Sequence, residues 1–369
     1  MTGLFRRDFA EAMRTTKEVK AGFIHDLNDV YSRGVRIVKE SVENGVTAIR
    51  AHVEVDSAVR FVCLDVAQRL KQEFSAVCDI QIAVFAQEPL FDSPDATSPG
   101  ENWTCFQEAL MTYQVDVIGS APYVEPTVKQ AKENIRLIFD LLEDSSATQL
   151  DFHLDYNLDA CSEPLIYEVI NQAKTRYSGP TCPNITVGHA TRLQMFSAPE
   201  WRSLTEAIAG FPIHFICLPQ SDVYMQGRQY GTEPLGAPRG TLRVPQLAKT
   251  YGVEVAMSVN NVENAFTPQG SLDPLSLCTF GVAIFQAATP EDISVLAKSV
   301  TITSKRAIGV QDVPTSLVLT VGDPADFVIL HRNESLQSAV LNPSYDRTTI
   351  KTGNMVASRR SVRWLLNTT

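Results

Sequence analysis

The stretch Leu150-Asp151-Phe152-His153-Leu154-Asp155-Tyr156 is the most informative part of this chain for its fold. An apolar run that ends in polar side chains is typical of a buried parallel strand whose carboxyl end faces a site. The same pattern recurs at residues 185–191, which contain His189, and at residues 48–54, which contain His52. Three histidines at the ends of strands favour a barrel enzyme that uses a metal ion for hydrolysis.

Apolar, β-branched runs alternate with amphipathic helical patterns along most of the chain. The runs lie at 46–53, 79–86, 115–119, 149–154, 184–189, 213–218 and 253–259, and the helical patterns at 29–43, 57–74, 127–142, 163–176, 198–210 and 241–250. This alternation indicates a parallel α/β protein, and seven units in series favour a TIM-type (β/α) barrel over a doubly wound sheet. No glycine-rich phosphate-binding motif follows a predicted strand.

A closed TIM barrel has eight strands, whereas residues 1–20 are charged and helix-prone. The barrel is therefore predicted to lack its first strand. Open strand edges are normally paired or covered. We expect either residues 1–24 or a second copy of the chain, in a homo-oligomer, to cover the open edge.

The end of the chain changes character from residue 316 onward. Short β-like runs at 317–321, 327–330, 349–351, 355–357 and 362–366 are separated by turn sequences such as Gly322-Asp323-Pro324. We predict three parts: a helical segment at 1–24, a barrel at 25–315 and a small β appendage at 316–369.

The composition bears on partners and location. A net charge of -10 argues against nucleic acid or an anionic membrane surface as partner. No apolar stretch is long enough to span a bilayer. The seven cysteines are widely spaced without a C-x-x-C pair, which indicates buried thiols in a reducing compartment. The expected protein is cytoplasmic, with a small molecule as its ligand.

Several stretches, taken in order, resemble one family. They are GVTAIRAHV at 45–53, VFAQE at 84–88, DFHLD at 151–155, VGHATR at 187–192, LPQS at 218–221, YMQGR at 224–228, NNV at 260–262, AFTP at 265–268 and VGDPAD at 321–326. Their order and spacing resemble the cytosine deaminase-like branch of the amidohydrolase superfamily over nearly the whole chain. The resemblance implies a deformed TIM barrel that hydrolyses C–N bonds, often deaminating a heterocycle. It also implies a divalent metal, zinc or iron, that lowers the pKa of a bound water toward ~7.

The resemblance assigns roles to individual residues. His153 matches the family's metal ligand on strand 5, and His189 matches the histidine on strand 6 that orients water or substrate. Gln87 matches the glutamine that reads the substrate's amide-like edge. Gln226 and Arg228 fall in the strand 7 loop, where we expect further substrate contacts.

Other family positions are replaced in this sequence. The strand 1 His-x-His has no counterpart, Tyr156 stands in place of the proton-shuttling Glu, and Asn260 stands in place of the metal-binding Asp. A neutral amide oxygen is a poor zinc ligand, so the family's metal set is degenerate here. Asp222 is an acid in the strand 7 loop without an assigned role.

Two classes of function stay open from the sequence. One is a hydrolase acting on a C–N bond of a small cyclic or heterocyclic molecule. It would use either a metal or metal-free chemistry, in which Tyr156 donates a proton or hydrogen bond and His189 or His153 is the base. The other is an inactive pseudoenzyme of the same fold that binds a ligand or a partner. An upstream start would restore strand 1 but would not explain Tyr156 or Asn260.

Overall fold

A computed structural model describes residues 9–227, 240–362 and 364 of the chain. Seven strands form one sheet in the order β1 to β7, and every neighbouring pair is parallel. The strands are β1 Ala48–Glu54, β2 Asp79–Ala86, β3 Val117–Ser120, β4 Gln149–Leu154, β5 Asn184–His189, β6 Ile213–Cys217 and β7 Val255–Met257. Within the described residues β1 and β7 do not pair with each other. The prediction of a (β/α) barrel of seven units is confirmed.

Helices follow the strands, as the sequence pattern predicts. Those of the described residues are α1 Phe9–Lys20, α2 Leu27–Glu43, α3 Val62–Glu73, α4 Glu101–Thr112, α5 Val128–Glu143, α6 Ile166–Arg176, α7 Ala198–Ile208, α8 Pro219–Met225, α9 Val244–Tyr251, α10 Pro274–Phe285, α11 Pro290–Ser299, α12 Ile302–Ala307 and α13 Leu336–Leu341. In α5, Ile135, Ile138 and Phe139 recur at helical spacing and are fully buried. Burial stabilises the fold by about 1.5–3 kcal/mol for each such side chain, so this apolar face holds α5 in place.

The inner face of the sheet carries several polar side chains. Side chains alternate along a strand, so Arg50, His52 and Glu54 of β1 share one face. The Arg50 guanidinium donates to Asp151 on β4 (2.9 Å) and to Thr186 on β5 (2.8 Å). Contacts between strands so far apart in the sheet show that it curls around these side chains. His52 and Glu54 are therefore carried toward the carboxyl-terminal mouth of the curled sheet.

Helix α1 crosses this mouth. The ring of Phe9 packs against Tyr123 after β3, Tyr156 after β4 and Phe266 after β7, with centroid distances of 5.7, 5.9 and 5.7 Å. At the other end of α1, Lys20 contacts Glu54 at the tip of β1. The helical segment predicted near the N-terminus thus covers the carboxyl-terminal end of the sheet. The outer edge of β1 has no strand partner among the described residues.

A small antiparallel sheet follows the barrel, in the order β10-β9-β8. Its strands are β8 Phe327–Leu330, β9 Arg347–Lys351 and β10 Asn354–Arg359. The buried guanidinium of Arg347 ties it to the barrel by an ion pair with Asp273 (2.6 Å). The predicted β appendage is confirmed, whereas the domain boundaries at 24/25 and 315/316 stay predictions.

One predicted β-like run is wrong, and another is only partly described. Residues 317–321 form no strand, and Val318, Leu319 and Val321 are exposed. A strand persists only when it pairs with a neighbour, and this run has none among the described residues. The run at 362–366 falls largely outside the described residues. None of the described helices combines the length and the apolar character needed to cross a lipid bilayer.

Candidate active site

A cavity opens at the carboxyl ends of the strands, under helix α1. Five of the residues singled out from the sequence line it together: Gln87, His153, Tyr156, His189 and Asn260. These residues lie at or just after the carboxyl ends of β2, β4, β5 and β7. Those ends meet at one rim because the strands are parallel. The histidines therefore converge on one cavity beside Asn260.

His153 stands at the tip of β4 in a close-fitting position. Its side chain is almost buried, and burial, with His52 and His189 nearby, lowers the pKa of His153 well below its ordinary value. The imidazole is therefore neutral, which is the form that binds metals. A Cβ atom on Gly188 would lie 2.6 Å from Cδ2 of His153. Only glycine on β5 leaves the ring this space.

His52, Asp151 and His153 form a group in which three ligand atoms lie within 4.8 Å of one another. His52 Nε2 is 3.2 Å from Asp151 Oδ2, and His153 Nε2 is 4.0 Å from Asp151 Oδ1. Burial alone would raise the pKa of Asp151, but His52, together with Arg50, holds it well below its ordinary value. Two imidazoles and an ionised carboxylate are a ligand set that suits a catalytic divalent metal with an open position. These residues therefore fit the metal that the resemblance implies, although the set differs from the family's.

Asn260 does not complete the family's own metal set. Its side-chain Nδ2 donates to Ser221 Oγ at 2.9 Å. The amide is thus held by a hydroxyl, and its oxygen carries no charge with which to bind zinc. The structure places Asn260 in the cavity as a polar wall residue.

His189 pairs with a buried carboxylate. Its Nδ1 lies 2.8 Å from Asp222 Oδ1, and both side chains are almost inaccessible to solvent. His189 and the following Ala190 both have left-handed backbone conformations, with φ of 66° and 51°. This bend ends β5 and sets the imidazole against the ring of Tyr156, at a centroid distance of 4.0 Å.

Comparisons with known proteins agree with this geometry. No family model matches the chain. It is 23% identical to a pterin deaminase of Rhizobium rhizogenes over 334 residues, which is 89% of this chain and 70% of the relative. A crystal structure of 5-methylcytosine deaminase from Klebsiella pneumoniae, liganded with 5-fluorocytosine, superposes on 99% of this chain and 83% of its own, with a TM-score of 0.83 and 22% identity.

The chain therefore shares the fold of 5-methylcytosine deaminase. A further solved structure, N-isopropylammelide isopropylaminohydrolase from Burkholderia multivorans, covers 88% of this chain and 74% of its own, with a TM-score of 0.69 and 20% identity. The fold that the resemblance implies is confirmed.

Tyr156 stands where the resemblance implies a proton-shuttling glutamate. Burial, with the charge of Asp222 nearby, raises its pKa well above the ordinary value for a tyrosine. The phenol therefore keeps its proton at neutral pH and lies 3.5 Å from Ser221 Oγ. Tyr156 is suited to donate a hydrogen bond but not to accept a proton from water.

A cation from α1, the ammonium of Lys20, also lines the cavity. The Lys20 ammonium lies 2.6 Å from Glu54, 2.7 Å from Asp56 and 3.0 Å from Glu88. Burial alone would lower the pKa of Lys20, but the three carboxylates outweigh it and raise the pKa above its ordinary value. Sequence reasoning missed this cluster, because Lys20 lies in a stretch that resembles a solvated helix face.

One residue expected to bind substrate, Gln226, is not on the cavity wall. The Gln226 side chain donates to the backbone carbonyl of Tyr156 at 3.1 Å, so it supports the wall from behind. Arg228 lies outside the described residues. Gln87, by contrast, lines the cavity and donates to the hydroxyl of Tyr123 at 3.3 Å. Tyr123 follows β3, whose polar tip the sequence analysis did not assign.

Asp155 serves the fold and not the cavity. Its carboxylate accepts from the backbone N–H groups of Leu165 and Ile166, at 2.7 and 3.2 Å, where α6 begins. A left-handed conformation, with φ of 52°, turns it away from the line of β4. The strand thus ends before Asp155, and only alternate residues up to His153 face the interior.

Proposed function

We propose that this chain hydrolyses a C–N bond of a small heterocycle, releasing an amine. The observation that carries the proposal is the meeting of His153, His189 and Tyr156 in one cavity of an amidohydrolase fold. The relatives named above are a pterin deaminase, a 5-methylcytosine deaminase and an N-isopropylammelide isopropylaminohydrolase. The proposed substrate is an amino-substituted azine of that general class.

The chemistry follows from which groups accept and donate protons. A water oxygen bonds to the ring carbon that bears the amine, the C–N bond to that amine breaks, and the products are a carbonyl compound and ammonia. Nε2 of His189 is the proposed acceptor of the water proton, which then passes to the leaving amine. The Tyr156 hydroxyl donates a hydrogen bond, and the Gln87 amide reads the adjacent edge of the ring.

The metal belongs to this proposal too. His52, Asp151 and His153 are the residues that would hold zinc or iron. A bound divalent metal lowers the pKa of a coordinated water and so supplies hydroxide at neutral pH. The Arg50–Asp151 hydrogen bond then has a clear role, because it fixes the carboxylate that both imidazoles face.

The remaining expectations concern the chain's surroundings. All seven cysteines, which lie in the described residues, are free thiols, and this supports the proposal of a reducing, cytoplasmic location. The edge of β1 has no strand partner among the described residues, and this supports the proposal that copies of the chain associate. Light scattering of the purified chain would test the association, and a monomer at all concentrations would count against it.

The decisive experiment measures metal content and ammonia release together. The purified chain is analysed for zinc and iron, then assayed with cytosine, a pterin and an ammelide, before and after metal addition. We expect stoichiometric metal and turnover of at least one compound. His189→Gln should lower the rate by about 10²–10⁴-fold, whereas His25→Gln, an exposed histidine, serves as the matched control. No turnover of any probe, even with added metal, would favour the pseudoenzyme.

A further inference from the structure

Asp222 is fully buried and makes three hydrogen-bonding contacts. Oδ2 accepts from the backbone N–H of Leu218 at 3.0 Å and from the hydroxyl of Thr241 at 2.8 Å. Oδ1 lies 2.8 Å from Nδ1 of His189. The two carboxylate oxygens therefore have different partners, and they are not interchangeable.

The contact with Asp222 determines which ring nitrogen of His189 carries the proton. A carboxylate accepts hydrogen bonds and does not donate them. The nitrogen that faces Asp222 must therefore carry a hydrogen, which makes His189 the Nδ1–H tautomer when the ring is neutral. Nε2, on the other side of the ring from Asp222, is left with a free lone pair.

We propose that Asp222 is a positioning residue that fixes the tautomer of His189, so that Nε2 accepts a proton in the reaction. The proposal rests on the proposed hydrolysis, in which His189 is the base. In other enzymes a carboxylate behind a catalytic histidine fixes the tautomer in this way. Here it comes from the start of α8, and its geometry is held by Leu218 and Thr241.

The substitution Asp222→Asn should reverse the tautomer. The backbone N–H of Leu218 can only donate, so the amide oxygen of the new side chain must stay against it. The amide NH₂ then faces Nδ1 of His189 and donates to it. Nδ1 has to accept, and the proton moves to Nε2, where it blocks the proposed proton acceptor.

The readout is the tautomer itself. Long-range ¹⁵N–¹H correlation spectra of the chain labelled at its six histidines distinguish the two forms, and loss of a signal in His189→Gln assigns that residue. We expect Nδ1–H in the wild type and Nε2–H in Asp222→Asn. Thr241→Val removes one contact to Oδ2 but leaves Oδ1 facing His189, so it should keep the wild-type tautomer.

Activity adds a second readout. Asp222→Asn should lower kcat by about 10²–10⁴-fold with a much smaller change in KM, because the substrate still binds. A wild-type spectrum with Nε2–H would overturn the proposal, even if the variant does not fold. So would an unchanged tautomer in Asp222→Asn. Reversal of the tautomer in a chain that turns over no probe would support the positioning role and refute the proposed hydrolysis.

Discussion

Replacing Lys20 by Met removes the ammonium that three carboxylates share at the mouth of the cavity. Met has nearly the same length, so the apolar stem keeps its packing while the charge is lost. Glu54, Asp56 and Glu88 then face one another without a cation. The change tests whether this cluster holds helix α1 over the site.

The size of the effect follows from burial. Removing one partner of a buried ion pair costs about 3–5 kcal/mol, because the other charge stays buried without compensation. The side chains of Lys20 and Asp56 are 4% and 3% exposed, whereas that of Glu54 is 29% exposed and partly screened. We therefore expect a loss near the lower end, about 3 kcal/mol.

The pH dependence has a definite sign. In the wild type the raised pKa of Lys20 keeps its contribution present throughout neutral and mildly alkaline pH, since it is lost only as the pH passes the folded-state pKa. In Lys20→Met the crowded carboxyls hold protons more tightly in the folded state than in the unfolded state. The variant should therefore lose stability, relative to the wild type, as the pH rises from acidic to neutral.

Urea unfolding at several pH values measures both effects, with Lys17→Met as the control because Lys17 is exposed on the same helix. Hydrogen exchange in residues 9–20 shows whether α1 loosens before the barrel does. A Lys20→Met variant as stable as the control, with the same pH profile, would refute the reasoning.

Two further predictions concern neighbouring parts of the fold. Gly188→Ala should displace the ring of His153 and lower the free energy of unfolding by about 1–3 kcal/mol through overpacking. In urea unfolding, the double variant with His153→Ala should recover part of that loss. Losses that simply add in the double variant would contradict the clash. Burial raises the pKa of Glu125 above its ordinary 4.5, so the wild type loses stability as the pH rises through the raised value. Glu125→Gln removes this titrating group and should make stability depend less on pH. Parallel urea titrations from acidic to neutral pH would show this, and an unchanged slope would count against it.

Local patterns predicted the strands well. The predicted ends of β2, β4 and β5 coincide with the observed ones. The polar residues on either side of an apolar run mark where the strand begins and ends. The convergence of His153 and His189 also followed from sequence, since parallel strands present their carboxyl ends at one rim.

Contacts through the interior could not be predicted in this way. Arg50 and Asp151 are 101 residues apart and meet only because the sheet curls. No spacing rule joins them, and Asp151 sits inside an apolar run that reads as strand core. The same holds for Lys20, whose three carboxylate partners lie at or just after the ends of two different strands. Such pairings depend on how the whole sheet curls and not on residues that are close in the sequence.

The left-handed bend at His189 and Ala190 has a consequence for anyone evolving this protein in the laboratory. Residues other than glycine incur about 1–2 kcal/mol in that conformation, and in both cases the strain lies at the rim of the cavity. A selection for heat resistance alone would therefore reward glycine or asparagine at these two positions. The variants obtained from such a selection would be more stable but would have lost the His189 imidazole. Each round of selection should therefore also test for catalytic activity.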